Sequence, residues 1–381
     1  MHKKFVQIIL ILTIAFYALS GCRTSKEKTP RNLFISEGSY SGSYWPTNSW
    51  RHCSPEQVGM NGNNLKLVYD YASNPVVNTE GIVIIKDGYI IAESYFGDFT
   101  QNSRHSSFSI AKSFMSALIG IALSEGLITG IMALVSDFFP EWSSGTVDPK
   151  KQRITLKHLL TMSSGLEWNE SDYYNDTSNN DVFIMSEQND YLQYVLNKQS
   201  EFEPGTIWRY SSGDSMLLSG ILQIAAGTTS YQYALENLFE PLGITEVSWE
   251  SDNAGHTVGG WGINATVRSY AKFGFLYLNY GEWEGRQIVP RSWVEQSLSP
   301  VTDNIDFYGF QWWLSPVFQG VQNSIIPEDL FLAWGIYTQQ IFVIPSLDLV
   351  IVRVANDPDS EEWDEIQFLE LIIASINRSA P

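Results

Sequence analysis

Ser109-Ile110-Ala111-Lys112-Ser113-Phe114-Met115-Ser116-Ala117-Leu118-Ile119-Gly120-Ile121-Ala122-Leu123 carries a single formal charge, on Lys112, in a run of small and apolar residues. A serine and a lysine at i and i+3 share one face of a helix. The residues after Lys112 are apolar nearly all round, which predicts a buried helix. Desolvation disfavours an ammonium there and lowers the lysine pKa. A neutral amine beside a hydroxyl is a general base beside a nucleophile. The stretch therefore points to a serine hydrolase in which Ser109 attacks and Lys112 takes its proton.

The same Ser-x-x-Lys spacing recurs at Ser25–Lys28 and Ser269–Lys272. The first lies among charges that keep its lysines protonated. The second lies in a largely apolar helical pattern, so position decides between it and Ser109. The apolar pattern starts just after Ser109, which puts that hydroxyl on a first turn with free backbone N–H groups. Ser269 is expected well inside its helix, away from such groups.

Outward from this helix, Ile82–Lys86 and Tyr89–Glu93 flank Asp87-Gly88 and predict a hairpin. Helical or mixed segments follow at 156–162, 191–198, 214–226, 231–239 and 266–279. Gln340–Ile344 and Leu347–Ala355 are β-branched runs, and 362–376 predicts a last amphipathic helix. Strands at both ends with helices between give an α/β (α+β) class. One antiparallel sheet would be built from both chain ends and flanked by helices, with a helical lobe inserted over roughly 112–260. Residues 167–190, rich in Asp, Asn, Glu, Ser and Tyr, read as a long loop forming a lid or cleft wall.

The N-terminus reads as an export signal over residues 1–21: His2, Lys3 and Lys4, then the apolar run Phe5–Leu19, too short for a membrane span. It closes on Leu19-Ser20-Gly21-Cys22, which resembles a bacterial lipoprotein cleavage box. That resemblance implies a lipid on Cys22 and an exported protein anchored at a membrane facing the periplasm or cell exterior. Residues 22–50 are expected to form a tether and 51–378 the folded domain. A lipidated Cys22 leaves Cys53 without a disulfide partner. A net charge of −19 argues against nucleic acid as a partner. Scattered His and Cys show no metal-ligand spacing, and no cofactor is expected.

A second element is Glu203-Pro204-Gly205-Thr206-Ile207-Trp208-Arg209-Tyr210-Ser211-Ser212, a turn followed by a helix. Ser109-x-x-Lys112 followed by Tyr210-Ser211-Ser212 resembles the serine β-lactamase and penicillin-binding-protein superfamily. The resemblance is strongest to its branch of β-lactamase-like carboxylesterases and 6-aminohexanoate-oligomer hydrolases. It extends over most of 51–378 and includes Ile154–Leu166, Glu203–Thr206, Pro241–Ile244 and Gly259-Gly260-Trp261-Gly262. It implies a β-lactamase/transpeptidase-like fold and an acyl-enzyme on Ser109, with Tyr210 as partner base and proton shuttle. By the same resemblance Ser212 hydrogen-bonds substrate or Lys112. The oxyanion hole would combine the N–H groups of Ser109 and of Ile336, after Ala333-Trp334-Gly335.

One departure bears on substrate. Many relatives carry Lys-Thr-Gly or His-x-Gly on that strand, where the cation holds a substrate carboxylate. This chain has no Lys or His after Lys272, and Thr338 stands where glycine is usual. Arg353, the one strongly basic residue of the C-terminal strands, is assigned to packing or surface charge. The expected activity is hydrolysis of a small-molecule ester or amide. The alternatives are a β-lactamase or D-Ala-D-Ala carboxypeptidase, and a non-catalytic cell-envelope binding protein. His158, on an apolar helical segment, reads as a core histidine.

Overall fold

The computed structural model describes residues 35–377 except 146, 171–176, 303–304, 319–324 and 357–361. The expected signal peptide and Cys22 therefore lie outside the described residues. The chain divides into two compact units, one comprising residues up to 105, 265–278 and 315 onward, the other 106–264 and 279–314.

The first unit is built on a sheet. β1 (Thr79–Lys86) and β2 (Tyr89–Tyr95) form the expected hairpin. Asp87 and Gly88 at its turn have φ of 52° and 80°, the left-handed pair that matches strand twist. β3 (Phe331–Gly335), β4 (Gln339–Ile344) and β5 (Leu349–Ala355) arrive from the other end of the chain. All pairings are antiparallel, in the order β2-β1-β5-β4-β3. Every residue of β5 is buried, as a central strand covered on both faces requires. The helix Val267–Leu278 packs on β1, β4 and β5. Gly274 allows that approach, since a Cβ there would stand 2.7 Å from Val350 and 2.8 Å from Ile341. The last helix, Glu365–Ile373, is capped by Asp364 and packs on the helix Gly62–Ala72.

Of the two roles left open for Arg353, packing or surface charge, the structure shows packing, for the residue is fully buried in β5. Its guanidinium donates to Val77 O at 2.6 Å, to Thr79 Oγ1 and to both oxygens of Thr338, and lies 3.5 Å from the centre of the Trp363 ring. Residues 35–50, within the expected tether, lie along β2: Ser36 N–H donates to Ile91 O at 2.9 Å, and Tyr40 and Tyr44 pack on Tyr89. Their aromatic side chains supply the apolar area that a solvated tether lacks.

The second unit is mainly helical. The helix Ile110–Ser124 packs on the helices Ser212–Ala226 and Arg291–Ser297. Gln311 ties the first two together, its backbone carbonyl accepting from Ser113 Oγ at 2.7 Å and its side-chain oxygen from Ser215 Oγ at 3.1 Å. The stretch read as one loop, 167–190, holds a short helix, Asp181–Ser186, capped by Asn180. Polar composition hid that helix, because its N-cap is itself a loop-type residue.

Candidate active site

Ser109 is the N-cap residue of the helix Ile110–Ser124. Phe108, just before it, has φ of 43°, a left-handed conformation rare for an aromatic residue. The turn is held from the other side by Ser107, whose N–H donates to Ile263 O at 2.7 Å and whose Oγ accepts from Ile263 N–H at 3.2 Å. A strained residue beside a reactive side chain is a recurring feature of functional sites.

Lys112 is buried to 1 % exposure. Its Nζ lies 3.0 Å from Ser109 Oγ, 2.9 Å from Ser212 Oγ and 3.0 Å from Gly260 O. Burial lowers its pKa to about 8, against the opposing pull of Glu170. The amine is thus poised to exist uncharged in mildly alkaline water. Gly260 matters because a Cβ on it would come within 3.1 Å of Ser212 and 3.4 Å of Lys112 Nζ. The Gly-Gly-Trp-Gly turn leads into a short strand, Ile263–Thr266, before the next helix.

The Tyr210 ring centre lies 4.8 Å from Lys112 Nζ, and Ser109 is near enough to its phenol to oppose the rise in its pKa. Burial, then the charge of Glu170, pushes the phenol well above its usual pKa, so it enters the site protonated. The ring stacks on Trp313 at 5.8 Å, and Trp208 packs edge-on against Phe307 and Tyr308. This aromatic panel fixes the direction of the hydroxyl.

Four of the expected site residues, Ser109, Lys112, Tyr210 and Ser212, therefore meet in the second unit. Ile336 lies in the first unit, in the turn Ile336–Thr338 between β3 and β4. Tyr337 and Thr338 there have φ of 58° and 60°. Arg353 holds the threonine in the conformation where glycine was expected.

Glu170, at the edge of the polar stretch after Trp168, is a site residue that the sequence reading missed. Its Oε1 accepts from Ser212 Oγ at 2.7 Å. Its Oε2 accepts from Ser212 N–H at 2.7 Å and Trp168 Nε1–H at 2.8 Å. A signal was present in hindsight: the helix Ser212–Ala226 needs an acceptor for its first N–H groups, and Ser211 supplies only the one for Asp214.

His158 proves structural, its Nδ1 accepting from Thr155 N–H at 3.1 Å. The positional argument against Ser269 does not hold, because its helix starts at Val267 and places it in the first turn. Ser269 Oγ instead pairs with Thr266 Oγ1 at 2.9 Å, and Lys272 Nζ donates to Thr47 O at 2.9 Å.

Comparison with known proteins bears on the fold and the family. The 6-aminohexanoate-dimer hydrolase of Paenarthrobacter ureafaciens is 23% identical over 313 residues, covering 76% of each chain. A solved Bacillus anthracis structure named as a 6-aminohexanoate-dimer hydrolase superposes with a TM-score of 0.69 at 19% identity, covering 92% of this chain and 91% of its own. A family VIII carboxylesterase structure gives a TM-score of 0.60 at 16% identity, covering 83% of this chain and 98% of its own. These likenesses show a mixed α/β fold of the β-lactamase/transpeptidase type. With a family model described as Beta-lactamase matching residues 78–374, the chain belongs to the beta-lactamase family of hydrolases.

Proposed function

We propose that this protein hydrolyses a small-molecule carboxylic ester or amide through an acyl-enzyme on Ser109. The observation that carries the reading is a desolvated lysine amine 3.0 Å from a serine hydroxyl, its hydrogen-bond partners among the described residues all uncharged. Lys112 Nζ takes the Ser109 proton as Oγ bonds to the substrate carbonyl carbon, whose π pair moves to oxygen. When that tetrahedral adduct collapses, the leaving group departs with a proton passed through Tyr210, and Lys112 returns to the amine. Water then repeats the sequence on the acyl group. The N–H of Ser109 is the proposed oxyanion donor within this unit.

An ester or neutral amide fits better than a penicillin. Arg353, the remaining basic candidate on the C-terminal strands, is spent on Thr338, Thr79 and Val77. The relatives named as a 6-aminohexanoate-dimer hydrolase and a family VIII carboxylesterase support amide or ester hydrolysis. Fluorophosphonate labelling of the purified protein is expected to vanish in Ser109→Ala, and equal labelling of the variant refutes the assignment. We also propose that Cys22 carries the lipid anchor, so that Cys22→Ala moves the protein from the membrane to the soluble fraction.

A further inference from the structure

A neutral lysine amine has two N–H bonds and one lone pair, and Lys112 has three partners to share them among. Gly260 O can only accept, so it takes one N–H. Ser212 Oγ could in principle either donate or accept. Its single proton is already given to Glu170 Oε1, 2.7 Å away, and a carboxylate offers no proton in return. Ser212 must therefore accept the second N–H of Lys112. The lone pair is left for the third partner, the hydroxyl of Ser109.

We propose that Glu170 is a positioning residue that aims the lone pair of Lys112 at Ser109 by holding the Ser212 proton turned away from the amine. This rests on the hydrolase reading above. Glu170 is itself held in place, since Oε2 is engaged by Ser212 N–H and Trp168 Nε1–H and only Oε1 faces the hydroxyl. During attack the Ser109 proton becomes the third N–H of an ammonium, and the other two bonds need not move. The relay thus requires no rotation of the amine before proton transfer, the kind of preorganisation that lowers a barrier.

Glu170→Gln tests this because it keeps size and folding contacts but changes one proton. The amide oxygen stays with the two N–H donors, and the NH₂ group donates to Ser212 Oγ. The Ser212 proton then turns onto the Lys112 lone pair, and a lysine N–H faces Ser109 instead. With p-nitrophenyl butyrate, kcat is expected to fall by about a hundredfold, the scale of a lost general base, with little change in KM. Fluorophosphonate labelling should slow by a similar factor. Ser212→Ala removes the competing hydroxyl, so adding Glu170→Gln to it should cost only a few-fold more, a strongly non-additive cycle. An equal loss from Glu170→Gln with and without Ser212→Ala overturns the proposal. So does a variant that keeps its plateau kcat and merely shifts its pH profile to lower pH, which is the effect of charge alone. If Glu170→Gln fails to fold, Glu170→Asp against Glu170→Asn repeats the comparison, with equal activities overturning it. Turnover that survives Ser109→Ala sinks the hydrolase reading itself, whereas additive, Ser109-dependent behaviour sinks only the role of Glu170.

Discussion

At the scale of single residues, the chemistry turns on where protons sit near neutral pH. Lys112 is brought to about 8 chiefly by burial, with Glu170 pulling the other way. Its neutral fraction therefore grows as pH rises, and the hydroxyl of Ser109 gains a base. The expected kcat/KM for p-nitrophenyl butyrate rises about tenfold per pH unit below that value and levels off above it. Lys112→Ala should abolish both the rise and most of the rate, by about a hundredfold or more. A stopped-assay pH series with wild type and variant measures this, and an acidic limb retained by Lys112→Ala means another group controls it. Tyr210 is pushed upward by burial and stays a phenol through that range. In the proposed cycle it starts as a phenol and acts as a base only transiently, after passing a proton on.

At the scale of elements, the helix Ser212–Ala226 carries a burden unrelated to the chemistry. Asp214, in its first turn, is buried with neither carboxyl oxygen hydrogen-bonded among the described residues, and burial raises its carboxyl to about 8 from an ordinary 3.8, with nearby Ser164 opposing. Between those values the folded chain holds a proton that the unfolded chain has released. The unfolded state then binds fewer protons, so stability falls as pH rises through this window. Asp214→Asn keeps the shape and removes the titration. Its melting temperature should exceed that of wild type at pH 8, by an amount worth a few kcal/mol, with the gain shrinking toward pH 4. Calorimetry across that range checks it, and a pH-independent difference contradicts it. Asp214 also shows where sequence reading stops. Periodicity made the helix legible, as it did the Asp87-Gly88 hairpin and the run after Ser109. Whether a polar side chain in a first turn faces water or the interior depends on packing from distant segments. Glu170 was missed for the same reason: its partner Ser212 is 42 residues away in sequence, and only the fold brings them together.

At the scale of the whole molecule, charge bears on the proposed choice of substrate. The chain has 42 acidic and 23 basic residues, for a net charge of −19. A penicillin or cephalosporin brings a carboxylate that relatives hold with a lysine or histidine, and this chain has neither after Lys272. The remaining strand cation, Arg353, is fully buried among acceptors of its own unit and cannot turn to a ligand without leaving Val77 O and Thr338 O unpaired. Glu170, beside Ser212, adds a carboxylate to the candidate site. A charge-assisted hydrogen bond is worth about 1.5–3 kcal/mol, so its loss alone costs roughly ten- to a hundredfold in affinity for the transition state. The purified protein should therefore turn over p-nitrophenyl butyrate with a kcat/KM at least about a hundredfold above that for nitrocefin. Raising the salt concentration should help nitrocefin more than the neutral ester, because screening weakens the repulsion only for the charged substrate. Efficient nitrocefin turnover insensitive to salt would mean that some other group holds the carboxylate, and the ester preference argued from charge would fall with it.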